Sequence, residues 1–486
     1  MDLMLALNIS EPAVARNYRI PGARLLHRQI SWHLTAMKNP VWICLAAGLA
    51  ALLPTTAAIA TNPLITDQFS ADPTARVFEG KIYVYPSHDI NEPPGYAGRP
   101  KWFVMEDYHV FSSGNLTDWK DHGVIIKRSD VPWADQDTYA MWAPDCVLKD
   151  GKYYFYFPTM ARKDMGGGFR IGVAVGDKPY GPFKLLPTPI EGVQGIDPGV
   201  LIDKDGSAYL YWSGRDKLFA AKLKPNMTEI EGEPQTFDYL PKKGLQEGPF
   251  VFERAGTYYL TYPHVANKIE RLEYATSSSP LGPFKWAGVI LDESESGCWT
   301  VHHSILEWKG QWYLFYHDRD LSPSFDKHRS IRADKLFFEA DGTIRKVTPT
   351  LRGVGLVAAN NEIQVDRYSA KSPEGVAVSF LDDANPYAGW KTTFSAKGSW
   401  LRFNEVDFGR GKQKSIEVRA KAPGTSMLEI RLDKPDGPLL SKVAVGSGTE
   451  WILATGVAKK IPAGVHDLFV TQTGVDPVEV DWVSFR

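Results

Sequence analysis

The chain has 486 residues, too many for one ordinary hydrophobic core, so two domains are expected. A formal charge of −2 with no basic block or stripe argues against a nucleic-acid partner, and no Gly-rich phosphate loop of the P-loop or dinucleotide type is present. Aromatic residues make up 12% of the chain, with 15 Trp and 21 Tyr, a composition that suits stacking on sugar rings or packing between β-sheets.

Residues 39–60 follow Lys38 as an apolar run interrupted by Pro54, too short and too broken for a membrane span. The run ends in Ala58-Ile59-Ala60, the small-x-small pattern of a secretory cleavage site, and Met37 is a conventional start for such a signal peptide. Residues 1–36 then precede the true start, the rival reading being a genuine N-terminal extension. Cleavage leaves a secreted or periplasmic chain without membrane attachment, carrying 50 Lys/Arg against 55 Asp/Glu. It retains only Cys146 and Cys298, which make neither a disulfide framework nor a zinc motif. Buried free thiols are the favoured reading, with a bridge between them left open.

From Thr61 onward short Val/Ile/Tyr/Phe runs alternate with Gly, Pro, Asp and Asn, and no amphipathic helical period is sustained. Five times a small turn leads into an aromatic-rich run: Glu79-Gly80 before Lys81-Ile82-Tyr83, Asp150-Gly151 before Lys152-Tyr153-Tyr154, Asp205-Gly206 before Ser207-Ala208-Tyr209, Ala255-Gly256 before Thr257-Tyr258-Tyr259, and Lys309-Gly310 before Gln311-Trp312-Tyr313. Outer strands echo one another too, with Ile171–Val175 leading to Tyr180-Gly181-Pro182-Phe183 and Leu272–Thr276 leading to Leu281-Gly282-Pro283-Phe284. Strand, Gly turn and strand recurring about every 50 to 70 residues read as the blades of a five-bladed β-propeller. The repeats stop after Thr348-Pro349-Thr350. Residues 356–486 then show apolar–polar alternation in Ile416–Ala420, Leu428–Leu432 and Val478–Phe485, which predicts a β-sandwich of jelly-roll type. The expected organisation is therefore all-β: a signal region over 1–60, a propeller over 61–355 and a sandwich over 356–486.

A polar group stands roughly six to nine residues before the Gly of each blade turn: Asp72, Asp145, Asp197, Glu247 and the pair His302/His303. If every repeat enters its blade in the same way, these groups meet on the central axis. A Pro or Gly beside each acid ends regular strand pairing and fixes the aim of the side chain. Any one Asp-Pro is more often an ordinary turn, but four acids in phase with four of five repeats point to a shared pocket. Acetal hydrolysis needs one carboxyl held protonated and one held ionised, and neighbouring carboxylates create that asymmetry because the charge of one raises the pKa of another.

Through Ala71-Asp72-Pro73, Trp142-Ala143-Pro144-Asp145, Ile196-Asp197-Pro198, Glu247-Gly248-Pro249 and His302-His303-Ser304, in that order, the chain resembles glycoside hydrolase family 43. The resemblance implies an inverting mechanism with Asp72 as general base, Glu247 as general acid and Asp197 as pKa modulator, and no cofactor required for the chemistry. Inversion places the Asp72 and Glu247 carboxyls roughly 6.5 to 9.5 Å apart. It further implies that Asp145 contacts the substrate and that His302 sits on the axis near a cation or water, although Val301 stands where the family pattern has Gly. Trp142, Trp212 and Trp299 are candidate walls of a pentose-sized subsite, and Arg329 or Arg332 a candidate for a ring hydroxyl. The C-terminal part is similar to a family 6 carbohydrate-binding module. Gln364, Asp366 and Asp481 then become candidate ligands of a structural Ca²⁺, and Trp400 a candidate sugar platform, while Glu479 replaces an Asn that the module commonly offers its ligand. The expected partner is a polysaccharide or oligosaccharide, arabinoxylan first and arabinan second.

Overall fold

The computed structural model describes residues 61–486 apart from 215–216 and 238–239. The signal-peptide reading of residues 1–60 lies outside the described residues.

Residues 71–336 form five antiparallel sheets, each built from consecutive strands. Blade I holds Ala71–Phe78, Lys81–Asp89, Met105–Ser113 and Lys120–Lys127; blade II holds Asp145–Lys149, Lys152–Met160, Phe169–Gly176 and Phe183–Leu185. Blade III holds Ile196–Ile202, Ala208–Gly214, Lys217–Leu223 and Ile230–Thr236; blade IV holds Phe250–Arg254, Thr257–Val265, Glu270–Ser277 and Lys285–Leu291. Blade V has three strands, His303–Trp308, Gln311–Asp318 and Ser330–Leu336. In four blades the first hairpin turns through two residues of positive φ, such as Glu79 (52°) and Gly80 (75°), a backbone that matches strand twist and favours Gly at the second position. That turn chemistry made the repeat visible in the sequence.

The missing strand of blade V comes from the start of the domain. Leu64 N–H donates to Ile331 O (2.8 Å) and Ser70 N–H to Arg329 O (2.9 Å). Asn62 is buried; its Oδ1 accepts from Ala333 N (2.8 Å), and its Nδ2 donates to Ala333 O (3.1 Å) and Thr350 O (2.8 Å). The ring is thus closed by joining its two ends.

Most of the repeated aromatics pack between blades. Tyr85, Tyr108, Phe155 and Phe157 fill one interface, and Tyr211, Leu260, Tyr262 and Phe284 another. Each buried tyrosine needs a partner for its hydroxyl. Tyr85 donates to Pro179 O and Tyr211 to Pro280 O, both at 2.5 Å, tying one blade to the closing turn of the next.

The sandwich is two six-stranded sheets. Trp400–Asp407, Val465–Gln472, Ser426–Leu432 and Leu439–Val445 are the main strands of one; Val376–Phe380, Trp390–Phe394, Val478–Phe485, Ser415–Ala422 and Gly448–Val457 are those of the other. Ile416, Val418, Ala420, Leu428, Ile430 and Leu432 alternate inward to one apolar core, as their sequence pattern requires. Propeller and sandwich touch through polar groups: Arg367 donates to Asn62 O, Lys335 pairs with Glu405, and Arg352 Nε donates to Asn404 O (3.2 Å).

Candidate active site

Three blades use one backbone device at the start of their inner strand. The residue before proline has positive φ in each case: Asp72 (47°), Asp197 (56°) and Gly248 (55°). Such a conformation is rare for a residue with a Cβ and costs about 1–3 kcal/mol, so it persists only where the surroundings impose it. In blades I and III the strained residue is the acid itself. In blade IV Gly takes the strain, and Glu247 precedes it. All three acids are turned inward, Asp72 and Asp197 being 4% and 5% exposed.

Asp72 is wrapped in donors. Arg329 Nη1 and Nη2 reach its two oxygens at 2.8 and 3.3 Å, and the Ser87 hydroxyl donates to Oδ2. The Asp72 N–H donates to His317 Nδ1 at 3.0 Å. Burial alone would raise the Asp72 pKa, but Arg329, then His317 and His302, outweigh it and hold the carboxyl below its ordinary 3.8. His317 is driven down to about 3, chiefly by burial and by Arg329, and so keeps the lone pair that accepts the Asp72 N–H. Arg329 is in turn anchored by Asp89, through Nε and Nη2 at 2.9 Å each. The charge on Asp72 is fixed by this chain of contacts.

The other two acids are pushed the opposite way. Burial, then the charges of Glu247 and Asp72, raise Asp197 well above 3.8, against the Gly248 N–H (3.1 Å) and Ser213 hydroxyl (3.2 Å) that it accepts. Glu247 is raised well above 4.5 by burial, then by Glu270 and Asp72, with Arg329 opposing. Glu270 is buried at the start of its blade IV strand; its Oε2 accepts from Val301 N at 2.9 Å, and its other oxygen has no donor apart from Glu247. Two buried carboxyls can face each other in this way only by sharing a proton. Burial first, opposed by that shared contact, lifts Glu270 to about 7. The pocket thus favours the charged form of Asp72 and disfavours that of Asp197 and Glu247.

The structure moves several other predicted residues out of the pocket. Asp145 lies one residue after its proline instead of before it, and both its oxygens are consumed: Oδ1 by Arg76 Nε (3.0 Å) and Cys146 N (2.6 Å), Oδ2 by Arg76 Nη2 (2.6 Å) and Val200 N (2.7 Å). Instead of meeting substrate it holds Arg76, which lies over the Phe250 ring at 4.7 Å. Trp212 is 1% exposed and stacked on Phe219 inside the interface of blades II and III, so it is no subsite wall. Arg329 has no free edge for a ring hydroxyl, because two carboxylates occupy its fork, and Arg332 pairs likewise with Asp320 and Asp318. Trp142 and Trp299 are half-buried beside the blade I and II core; Trp142 packs on Phe103 and Phe169, and Lys327 Nζ lies 5.7 Å from the Trp299 ring. Cys146 and Cys298 are buried free thiols. Cavities of about 330 and 480 Å³ lie elsewhere, the larger lined by residues that include Arg76, Phe252 and Glu307.

A cation or water was expected near the axis and a structural calcium in the sandwich. Near the axis, His302 Nδ1 comes within 2.9 Å of where a Cβ on Gly248 would stand, but it offers nitrogen to an ion that prefers oxygen. Among the described residues no three His, Cys or carboxylate ligand atoms converge there, so these side chains do not make a calcium cage. The sandwich fits better. Asp366 is buried, 2.5 Å from Arg367 Nε, without an aligned hydrogen bond to either carboxylate oxygen. Asp481 lies close enough that Asp366 and Glu362 raise its pKa, which burial first lifts to about 6. Gln364 ends the two-residue strand just before the turn that holds Asp366, and Asp481 is also paired with Arg419; the three still offer hard oxygen donors of the kind calcium takes. Trp400 is half-buried against Phe469, and Glu479 is engaged by Lys391 and Lys421, both at 3.1 Å.

A five-bladed ring with three axial carboxyls of opposed protonation, followed by a jelly-roll sandwich, defines a carboxylate glycosidase with an appended module. Residues 60–344 match the model of glycosyl hydrolases family 43, and residues 370–486 that of carbohydrate binding module family 6. The chain is 38% identical over 330 residues to a xylosidase/arabinosidase 43A of Humicola insolens, covering 58% of this chain and 98% of that one. It is 29% identical over 479 residues to an arabinoxylan arabinofuranohydrolase of Bacillus subtilis (strain 168), covering 85% and 89%. A family 43 β-xylosidase/α-arabinofuranosidase from a compost microbial metagenome, solved with xylotriose in a calcium-free form, superposes with a TM-score of 0.53 at 36% identity over 60% of this chain and 98% of that one. The chain belongs to glycosyl hydrolase family 43.

Proposed function

We propose that this glycoside hydrolase is exported and removes pentose residues from arabinoxylan-type hemicellulose, as an exo-acting α-L-arabinofuranosidase, β-xylosidase or both, with inversion. The observation that carries the reading is the opposite pull on Asp72 and Glu247 within one pocket, the first held toward its charged form by Arg329 and the second pushed toward its neutral form by burial and Glu270. Glu247 gives its proton to the leaving glycosidic oxygen as the bond to the anomeric carbon breaks. Asp72 takes a proton from a water that attacks the opposite face of the sugar, and one water is consumed per bond. Arg329 keeps Asp72 charged until then, while burial, Glu270 and Asp72 favour the proton on Glu247. The sugar-binding role of the sandwich rests on its family and on Trp400. A calcium ion held by Gln364, Asp366 and Asp481 would brace the entry strand of that domain and takes no part in hydrolysis. Export rests on residues 39–60, and N-terminal sequencing of secreted protein should begin at Thr61.

The deciding experiment offers aryl α-L-arabinofuranoside, aryl β-D-xyloside, arabinoxylan and linear arabinan, with product stereochemistry followed by NMR. Inverted pentose from the first three is expected. Retained configuration would overturn the mechanism, and turnover of arabinan alone would move the substrate to the arabinan class.

A further inference from the structure

On the blade I face that bears Ile82, Val84 and Phe111 deeper in the fold, three half-buried metal-ligating side chains converge away from the catalytic acids. They are His88, near the end of its strand, and Asp107 and His109 on the next. One ligand atom from each lies within 4.8 Å of the other two. His88 Nδ1 is 2.7 Å from Asp107 Oδ1, and His109 Nε2 is 4.0 Å from the same oxygen.

The fourth participant sets the chemistry. Asp121, on the third neighbouring strand, is fixed by the Gly123 N–H (2.7 Å) and the Gln68 amide (3.3 Å), and its oxygens lie 3.0 and 3.2 Å from His109 Nδ1. A carboxylate there places a proton on Nδ1 and turns Nε2 toward Asp107. With Nε2 bare, its lone pair and a carboxylate oxygen face each other at 4.0 Å, an arrangement that a cation between them, a proton on Nε2 or a metal ion, stabilises. A carboxylate behind the far nitrogen of a histidine is the usual support of a metal ligand, since it fixes the tautomer and raises basicity. Tetrahedral donors sit about 3.4 Å apart, and the observed 2.7 and 4.0 Å bracket that spacing within small side-chain rotations.

We propose that His88, Asp107 and His109 form a binding site for a borderline divalent ion of the zinc type, with water as fourth ligand and Asp121 as the support of His109. Two imidazoles and one carboxylate suit Zn²⁺, Co²⁺ or Ni²⁺ and exclude a calcium preference. The next residue after His88 is Asp89, the anchor of Arg329, so the ion would brace the strand end from which the catalytic base is organised.

The test is isothermal titration of the tag-free mature protein with Zn²⁺, and separately with Ca²⁺. One saturable zinc equivalent is expected, lost in His109→Ala and weakened about 10- to 100-fold in Asp121→Asn, where only the support is altered. Zinc should also raise the melting temperature of the parent and not of His109→Ala. Calcium uptake, if seen, should be the same in parent and variants. No saturable zinc binding, or zinc binding unchanged in both His88→Ala and His109→Ala, would overturn the site and leave a hydrogen-bonded cluster only. If an alanine variant fails to fold, Asp121→Asn and His88→Gln decide the question.

Discussion

After burial, Glu270 is the main group that raises the Glu247 pKa, and in the proposed mechanism it touches the acid and not the bond being cleaved. In Glu270→Gln a carboxyl is replaced by an amide that donates to ionised Glu247 instead of repelling it. The alkaline limb of kcat/KM, set by loss of the Glu247 proton, should therefore move to lower pH by about one unit or more, while the acid limb set by Asp72 stays in place. A limb that does not move would show Glu270 to be structural. Glu247→Ala should lose most activity on arabinoxylan and far less on an aryl glycoside whose leaving group needs little protonation; equal losses would remove Glu247 from the acid role. Asp72, Asp197 and Glu247 were legible in the sequence because each stands in repeated Pro or Gly punctuation, and that punctuation is the backbone device that aims them. Asp145 shares the punctuation but lies past its proline, and a shift of one residue sends its carboxylate to Arg76. Glu270 carried no signal at all, since Lys268-Ile269-Glu270-Arg271 reads as a charged strand end and only the neighbouring blade makes it a pocket residue.

Among the elements, the strands announced themselves through turn chemistry, but their inner and outer faces did not. Trp212 and Tyr211 are adjacent in one strand and point into different interfaces, and no local pattern says which interface holds sugar. The closing segment was also invisible, because residues 62–70 make their strand-like bonds partly through the Asn62 side chain instead of a regular ladder. Asn62→Ala strips buried partners from Ala333 and Thr350 at once. A loss of about 3 kcal/mol or more in urea denaturation is expected, at about 1–3 kcal/mol per unsatisfied buried group, with kcat of the folded fraction little changed. A change below about 0.5 kcal/mol, typical of a neutral surface position, would mean the clasp is not what holds the ring.

In the whole molecule, the sandwich is more than an appended module. Arg367, buried and stacked at 3.7 Å over Trp390, donates to the carbonyl of Asn62, so removal of the chain after residue 355 uncovers the clasp of the propeller. Such a truncation should lower the melting temperature of the remaining ring, and a point change tests sugar binding more cleanly. Trp400→Ala should spare turnover of small aryl glycosides and weaken retention on insoluble xylan; unchanged retention would remove Trp400 from that role. Asp481 gives the calcium reading its own pH signature. Its folded pKa of about 6 lies above the unfolded value near 3.9, so without an ion its contribution is present at low pH and fades as pH rises through 6. In chelator the melting temperature should decline over that interval, and added Ca²⁺ should abolish the decline; identical curves would leave the three oxygen donors without an ion.

Asn62 and its partner Ala333 stand 271 positions apart, and Asp72 and Arg329 stand 257 apart. A chain that emerges from the ribosome from its N-terminal end can fold each blade from neighbouring hairpins, but its leading residues wait for the last blade before they have anything to pair with. The same late event delivers the Arg329 guanidinium that favours the charged form of Asp72, the proposed base. Half-made chains, and chains nicked between the blades, would thus be chemically silent, and hydrolytic competence would arrive all at once when the ring shuts.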